Sequence, residues 1–245
     1  LAHVYIVNAR PRNVIISGNK FKNTLDINGD LYANRRGVGI YSNFSSFDIT
    51  RVNRFMRPLL PNSENHFEGL FYGVVANGQK TTAPRIHHNT FENNYRGILL
   101  RNTDGARVVF NGFNTSDQVI DFHQDFSPHR WGNGVQQQYA PLATYAVYLD
   151  NSNDYVVEEN VINNGDVGIY AHNSGSVANK VYRNTFAQEQ NVYAATVAVG
   201  SNSDYVPDVE ASGNQGLQFL CNTYDKTNWA IAAVNGNMRR LQGNN

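Results

Sequence analysis

The sequence predicts an all-β fold, a right-handed parallel β-helix solenoid of about eight to ten coils with one long inserted loop. Three observations carry that expectation. A short tag recurs in identity along the chain, a second tag precedes it at a fixed distance, and the composition is that of turns and strands. The 245 residues include 35 Asn and 20 Gly. Asn, Gly and Ser supply turns, while Val, Ile, Tyr, Phe and Thr fit a pleated surface. Runs of Ala, Leu, Glu and Lys that would build helices are missing.

The first tag is Asn, any residue, then a large apolar residue. It stands at Asn19-Lys20-Phe21, Asn53-Arg54-Phe55, Asn89-Thr90-Phe91, Asn111-Gly112-Phe113, Asn160-Val161-Ile162, Asn184-Thr185-Phe186 and Asn222-Thr223-Tyr224. Its closest spacings are 22 and 24 residues, and the wider ones leave room for insertions. The second tag is a short apolar strand followed by a polar step. Gly97-Ile98-Leu99-Leu100 leads to Asn102-Thr103-Asp104, and Ala146-Val147-Tyr148-Leu149 leads to Asn151-Ser152-Asn153-Asp154. Gly168-Ile169-Tyr170-Ala171 leads to Asn173-Ser174-Gly175, and Gly37-Val38-Gly39-Ile40 to Ser42-Asn43. From Asn102 to Asn111 and from Asn151 to Asn160 the interval is nine residues.

Each repeat is then one coil of short strands, and no coil can bury its apolar side alone. Stacking coils at the strand spacing of about 4.8 Å places equivalent residues above one another. Phe21, Phe91, Phe113, Ile162 and Phe186 stack inside. Asn89, Asn111, Asn160, Asn184 and Asn222 form a ladder at one turn, their amides satisfying backbone groups that the bend leaves unpaired. An antiparallel sandwich is the competing architecture. Asn-Gly steps at Asn28, Asn77, Asn111, Asn133, Asn164 and Asn235 would be its hairpins, but it predicts no recurrence in identity at 22–24 residues.

Residues 1–245 form a single domain. Two stretches break the period: 56–68, with its prolines, and an excursion at 115–144 rich in Asp, His, Gln and aromatics. Long loops in compact domains are usually either functional or disordered, so the excursion is the first place to seek a site. Twenty basic residues balance twenty acidic ones, which argues against a nucleic-acid partner held by bulk charge. No apolar stretch approaches the ~20 residues of a membrane span. The single Cys221 has no internal disulfide partner and is expected to be buried and inert.

The two tags, over most of residues 13–234, resemble the repeats of pectate-lyase-like parallel β-helix proteins. A narrower stretch, Gly216-Leu217-Gln218-Phe219-Leu220-Cys221-Asn222-Thr223-Tyr224 with Trp229-Ala230-Ile231 and Leu241-Gln242-Gly243, is similar to large secreted β-helix proteins of Bacteroidota. That resemblance implies type IX secretion and an extracellular or cell-surface location. With no sorting domain in the chain, it also implies a fragment or matured piece of a larger parent chain.

Catalysis finds thin support. A glycosidase needs two carboxyls at about 5 Å or 6.5–9.5 Å. Asp117, Asp121 and Asp125, with His123, are the residues that would serve if the chain is an enzyme, although their four-residue spacing also suits a solvated helix face. Asp150, Ser152 and Asp154 have the first spacings of a calcium loop, but Tyr155 stands where that loop needs Gly and Val161 where it needs Glu. His87 and His88, as neighbours on a strand, would point to opposite faces, so no metal site and no cofactor are expected. Binding fares better. Tyr95, Tyr148, Tyr170, Tyr182 and Trp131 offer flat surfaces for sugars, and His129, Arg130 and Trp131 set a planar donor beside an aromatic ring. The leading expectation is a non-catalytic, exported β-helix module, structural or adhesive, contacting a polysaccharide or other surface glycan. A polysaccharide lyase or glycoside hydrolase with its site under 115–144 is the first alternative. A self-associating filament subunit is the second, because open solenoid ends expose strand edges.

Overall fold

Strands of mostly three to six residues cannot bury a face alone, so their partners have to come from elsewhere in the chain. In the computed structural model they come from the neighbouring coils. The structure describes residues 2–9, 14–23, 36–52, 63–78, 83–115, 144–165, 167–192, 194–199, 215–227, 230–234 and 238–245. Three parallel sheets run through them.

Sheet A stacks Ala2–Val7, Val38–Asn43, Tyr72–Asn77, Arg96–Arg101, Tyr145–Asp150, Val167–His172, Ala194–Val199 and Ala232–Val234, in chain order. Sheet B stacks Val14–Ser17, Phe47–Thr50, Arg85–His87, Arg107–Val109, Val156–Glu158, Asn179–Tyr182, Leu217–Leu220 and Arg240–Gln242. Sheet C holds Lys20–Lys22, His66–Glu68, Thr90–Glu92, Gly112–Asn114, Val161–Asn163, Thr185–Val192 and Thr223–Thr227. Each coil passes from A to B to C, and each strand pairs in parallel with its counterpart one coil on. This is a right-handed parallel β-helix. Parallel pairing throughout rules out the sandwich: the Asn77-Gly78 step turns the chain from sheet A toward sheet B, with Gly78 at φ 67°, instead of closing a hairpin.

Because side chains alternate along a strand, one row of each strand faces the axis. Sheet A contributes Ile40, Val74, Ile98, Val147 and Ile169 in register, and sheet B contributes Ile16, Ile49, Ile86, Val108, Val157, Val181 and Phe219. Sheet C contributes Phe21, Phe67, Phe91, Phe113, Ile162 and Phe186. All of these are buried. The rings of Phe21, Phe67, Phe91 and Phe113 stack with centroids 4.7 Å apart at each step, close to the interstrand spacing. Room for them comes from sheet A, where Gly39, Gly73 and Gly97 stand in the same coils. A Cβ at Gly73 would lie 2.6 Å from the Phe91 ring, and one at Gly97 would lie 2.9 Å from that of Phe113. In the next coil the sheet C residue is the smaller Ile162, and the sheet A position is Ala146.

The Asn ladder is continuous. Asn65, Asn89, Asn111, Asn160, Asn184 and Asn222 are buried. The side-chain oxygen of each rung from Asn111 to Asn222 accepts the backbone N–H of the rung before it, at 2.9–3.1 Å. Each side-chain amide donates in turn to a sheet B carbonyl, such as Asn160 to Val108 at 2.9 Å. Asn244 extends the ladder at one end and Asn19 at the other. The residue before each rung from Asn89 to Asn222 takes the left-handed conformation: His88, Phe110, Glu159, Arg183 and Cys221 have φ between 52° and 57°. That conformation costs about 1–2 kcal/mol for an L-residue, and the Asn bonds over-determine the bend that requires it.

The rung between Asn19 and Asn89 is Asn65, of Asn65-His66-Phe67; Asn53 lies outside the described residues. The second tag forms the A-to-B turn. Asn102, Asn151 and Asn173 are left-handed with φ of 48–53°, and Thr103, Ser152 and Ser174 are buried behind them. Ser152 Oγ donates to the Leu100 and Asp150 carbonyls, so it belongs to a stacked turn. Cys221 corrects an expectation: at the left-handed position before Asn222 its side chain points away from the core, and the thiol is exposed. The excursion leaves after Gly112–Asn114 of sheet C and returns at Tyr145–Asp150, which pairs directly with Arg96–Arg101. It is an insertion between two adjacent coils.

Candidate functional site

Asp117, Asp121, His123, Asp125, His129, Arg130 and Trp131 all lie outside the described residues. What the structure does place are the outward rows of the sheets. A row on a solenoid is a linear array, one residue per coil.

The outer face of sheet A carries Tyr5, Tyr41, Val75, Leu99, Tyr148 and Tyr170 in register. Tyr5 and Tyr41 stack at 5.1 Å and 15°, and Tyr5 is 66% exposed. Further along, Tyr148 meets Tyr170 edge-on at 4.6 Å. Of the tyrosines expected to offer flat surfaces, Tyr95 and Tyr170 are buried, whereas Tyr148 and Tyr182 are half-buried. Beside the row, the Arg96 guanidinium lies 5.1–5.4 Å from the ring centres of Phe71, Tyr72, Tyr95 and Tyr145. Burial pushes the Tyr145 hydroxyl well above its usual pKa, although Arg96 works against it.

The next outward row of the same sheet is Asn43, Asn77, Arg101, Asp150 and His172. Asp150 Oδ2 accepts from Arg101 Nε at 2.7 Å, and Oδ1 lies 3.0 Å from His172 Nδ1. Burial works to raise the Asp150 pKa, but the bonds to His172 and Arg101 outweigh it and hold the carboxyl below its ordinary range. The imidazole is thereby oriented by a carboxylate, the arrangement used to fix a histidine tautomer. Sequence reasoning missed this cluster. The available signal was that Arg101, Asp150 and His172 each immediately precede the turn Asn of the second tag, so they stack.

A third cluster sits at the B-to-C turn. His87 and His88 were expected to point to opposite faces. The structure overturns this, because the strand ends at His87 and His88 is left-handed, at φ 55°. The turn brings the two Nδ1 atoms to 3.1 Å. Thr50 Oγ1 lies 3.2 Å from His87 Nδ1, and Asp48 Oδ1 lies 2.9 Å from His87 Nε2. Phe110, one coil on, stacks on the His88 ring at 5.0 Å. Burial, with the nearby charges of Arg51 and His87, lowers the His88 pKa. Among the described residues, no group of three or more His, Cys, Asp or Glu is close enough to hold a metal ion. The turn thus sets two imidazole nitrogens and a hydroxyl side by side.

Comparison with protein families matches residues 61–214 to the family described as Periplasmic copper-binding protein (NosD). Comparisons with curated proteins and with solved structures return no match.

Proposed function

The chain belongs to that NosD family, and on this premise we propose that it is a non-catalytic, exported β-helix module whose outer sheet A face contacts a glycan. The family's description as periplasmic places its members beyond the cytoplasm and supports export; display at the cell surface, an adhesive role and a larger parent chain are parts of the proposal. The observation that carries the reading is the stacked Tyr5–Tyr41 pair, with Tyr5 exposed and Tyr41 half-buried, at one end of the outward row of sheet A. A sugar ring lies flat on such a surface, and Asn43, Asn77 and Arg101 in the adjacent row supply hydrogen-bonding groups. The copper in the family's description suits imidazole donors, and the residues that fit it here are His87 and His88.

A polysaccharide lyase or glycoside hydrolase is a second reading, and the Asp150–His172 pair favours it, because an oriented imidazole serves as a general base. One experiment separates the two. The chain is run over immobilised acidic and neutral polysaccharides, and retention and bond cleavage are read together. Retention without cleavage, lost in Tyr41→Ala and Tyr5→Ala, supports the binding module. Cleavage abolished by His172→Gln supports the enzyme and overturns the first reading. Neither signal on any polymer overturns both.

A further inference from the structure

We propose that the outer face of sheet B binds an extended acidic polysaccharide, a chain with about one carboxylate per sugar, laid along the solenoid axis. This face does not carry the aromatic row, and its binding is independent of the sheet A reading.

The even balance of charge along the chain conceals a local segregation. Parallel register brings Arg85, Arg107, Val156, Lys180, Gln218 and Arg240 into one outward row, one residue per coil. At the interstrand spacing, the four cations among them cover about 24 Å in a straight line. Arg85, Lys180 and Arg240 are exposed. Among the described residues, none of the three is in an ion pair with a carboxylate. Arg107 is half-buried and fixed by neutral groups: its Nη1 lies 3.1, 3.0 and 2.7 Å from the carbonyl oxygens of Gly105, Ala106 and Asp154. Carbonyls orient the guanidinium without cancelling its charge, and its other N–H donors are left for a carboxylate. Two residues along each strand, a second outward row holds His87, Val109, Glu158, Tyr182, Leu220 and Gln242. Val109, Tyr182 and Leu220 are half-buried there, so apolar surface runs beside the cations.

That pairing of rows selects the ligand. A uronic-acid chain presents carboxylates along one edge and the C–H faces of its rings beside them, and each ring advances by about as much as one coil. Its carboxylates meet the arginine forks, while its rings lie over Val109, Tyr182 and Leu220. Nucleic acid fits this face less well. A duplex carries one charge per about 1.7 Å on curved backbones, far denser than this straight row. A single strand needs a series of aromatic platforms, whereas the second row offers Tyr182, whose ring already has the Arg183 guanidinium 4.5 Å away. Two acids nearby are engaged elsewhere: Asp48 lies 2.9 Å from His87 Nε2, and Glu159 is paired with Arg183 at 3.2 Å. Glu158, in the second row, stands in the ligand's path and weakens its hold.

The whole chain is tested against polygalacturonate by affinity electrophoresis and calorimetry, with dextran as the neutral polymer. Retention on polygalacturonate should exceed that on dextran and fall as salt rises. Arg85→Gln, Lys180→Gln and Arg240→Gln should each weaken binding about threefold, as exposed ion pairs do. The triple variant should lose at least about tenfold and keep the thermal midpoint of the parent. Lys20→Gln, Lys22→Gln and Lys226→Gln together remove the same charge from sheet C and should change binding by less than about twofold. Glu158→Gln should tighten it about twofold. Retention that survives in the sheet B triple variant, or that falls equally in the sheet C triple variant, overturns the proposal. Loss in Tyr5→Ala and Tyr41→Ala with the sheet B variant unchanged moves the polymer to sheet A and overturns it too, leaving the sheet A reading intact. No retention on polygalacturonate, or tighter binding to poly-dT or to phosphatidylglycerol vesicles, also overturns it.

Discussion

Replacing Asn160 by Ala removes one rung from the middle of the ladder, and the structure fixes what is lost. The Asn160 side-chain oxygen accepts the Asn111 backbone N–H at 2.9 Å, and its amide donates to the Val108 carbonyl at 2.9 Å and to Asn184 Oδ1 at 2.9 Å. Asn184 Oδ1 keeps the Asn160 backbone N–H, and the Asn111 amide keeps the Ile86 carbonyl. The damage is therefore one orphaned buried N–H, at about 1–3 kcal/mol, and one lost bond to a buried carbonyl, at about 1 kcal/mol. The expected destabilisation is about 3 kcal/mol, a large fraction of an ordinary domain's stability of about 5–15 kcal/mol. Urea unfolding followed by circular dichroism measures it; at a slope of about 3 kcal/mol per molar the midpoint falls by about 1 M. Asn160→Asp separates hydrogen bonding from shape. It keeps the acceptor for Asn111, but it turns an oxygen toward the Val108 carbonyl and Asn184 Oδ1, so it should cost more than Ala at neutral pH. Asn114→Ala, at an exposed site with one side-chain bond to Asn164, should stay within about 0.5 kcal/mol. A cost below 1 kcal/mol for Asn160→Ala, or an Asp variant milder than the Ala variant, would refute the reasoning.

The stacked column makes a second prediction: Phe91→Ala, which removes a buried ring between Phe67 and Phe113, should lower stability by about 3–5 kcal/mol by the same unfolding assay. Gly97→Ala should cost about 1–3 kcal/mol, because its Cβ would lie 2.4 Å from the Ala146 carbonyl oxygen and 2.9 Å from Phe113; Gly112→Ala, whose Cβ meets nothing within 4 Å, serves as the comparison. Glu68 is held at a pKa of about 2 by its hydrogen bond from Lys22 and by Lys20, below its ordinary 4.5. A carboxyl depressed on folding stabilises above its unfolded pKa and loses that contribution as pH falls from about 4.5 toward 2. Since the pair is largely solvated, Glu68→Gln should cost no more than about 1 kcal/mol at pH 7, and the difference from the parent should shrink as pH falls toward 2 and vanish below it.

Much of the fold was legible because stacking makes equivalent positions chemically alike. Asn89, Asn111, Asn160, Asn184 and Asn222 share one environment, and so do Phe91, Phe113, Ile162 and Phe186, so a repeat of two positions carries the architecture. The rung at Asn65 was less legible. Asn53-Arg54-Phe55 offers the same pattern twelve residues earlier, and only the pairing of Phe67 between Phe21 and Phe91 selects between them. The outward clusters were hidden for a different reason. Arg101, Asp150 and His172 share a row through coil register across an insertion, and nothing in their identities repeats. His87 and His88 were misread because strand alternation was carried one residue too far: the bend before each ladder Asn reverses the side chain that precedes it. Cys221 occupies that same position, which is why a thiol expected in the core is on the surface.

The central claim is that the buried Asn ladder holds the coils in register. Amide hydrogen exchange, resolved to single residues by nuclear magnetic resonance, tests it most directly. The backbone N–H groups of Asn89, Asn111, Asn160 and Asn184, each donated to the next rung's side chain, should exchange as slowly as the core strands, although they lie at a turn. Asn160→Ala should release Asn111 first. Exchange of these amides at the rate of exposed turns would contradict the account.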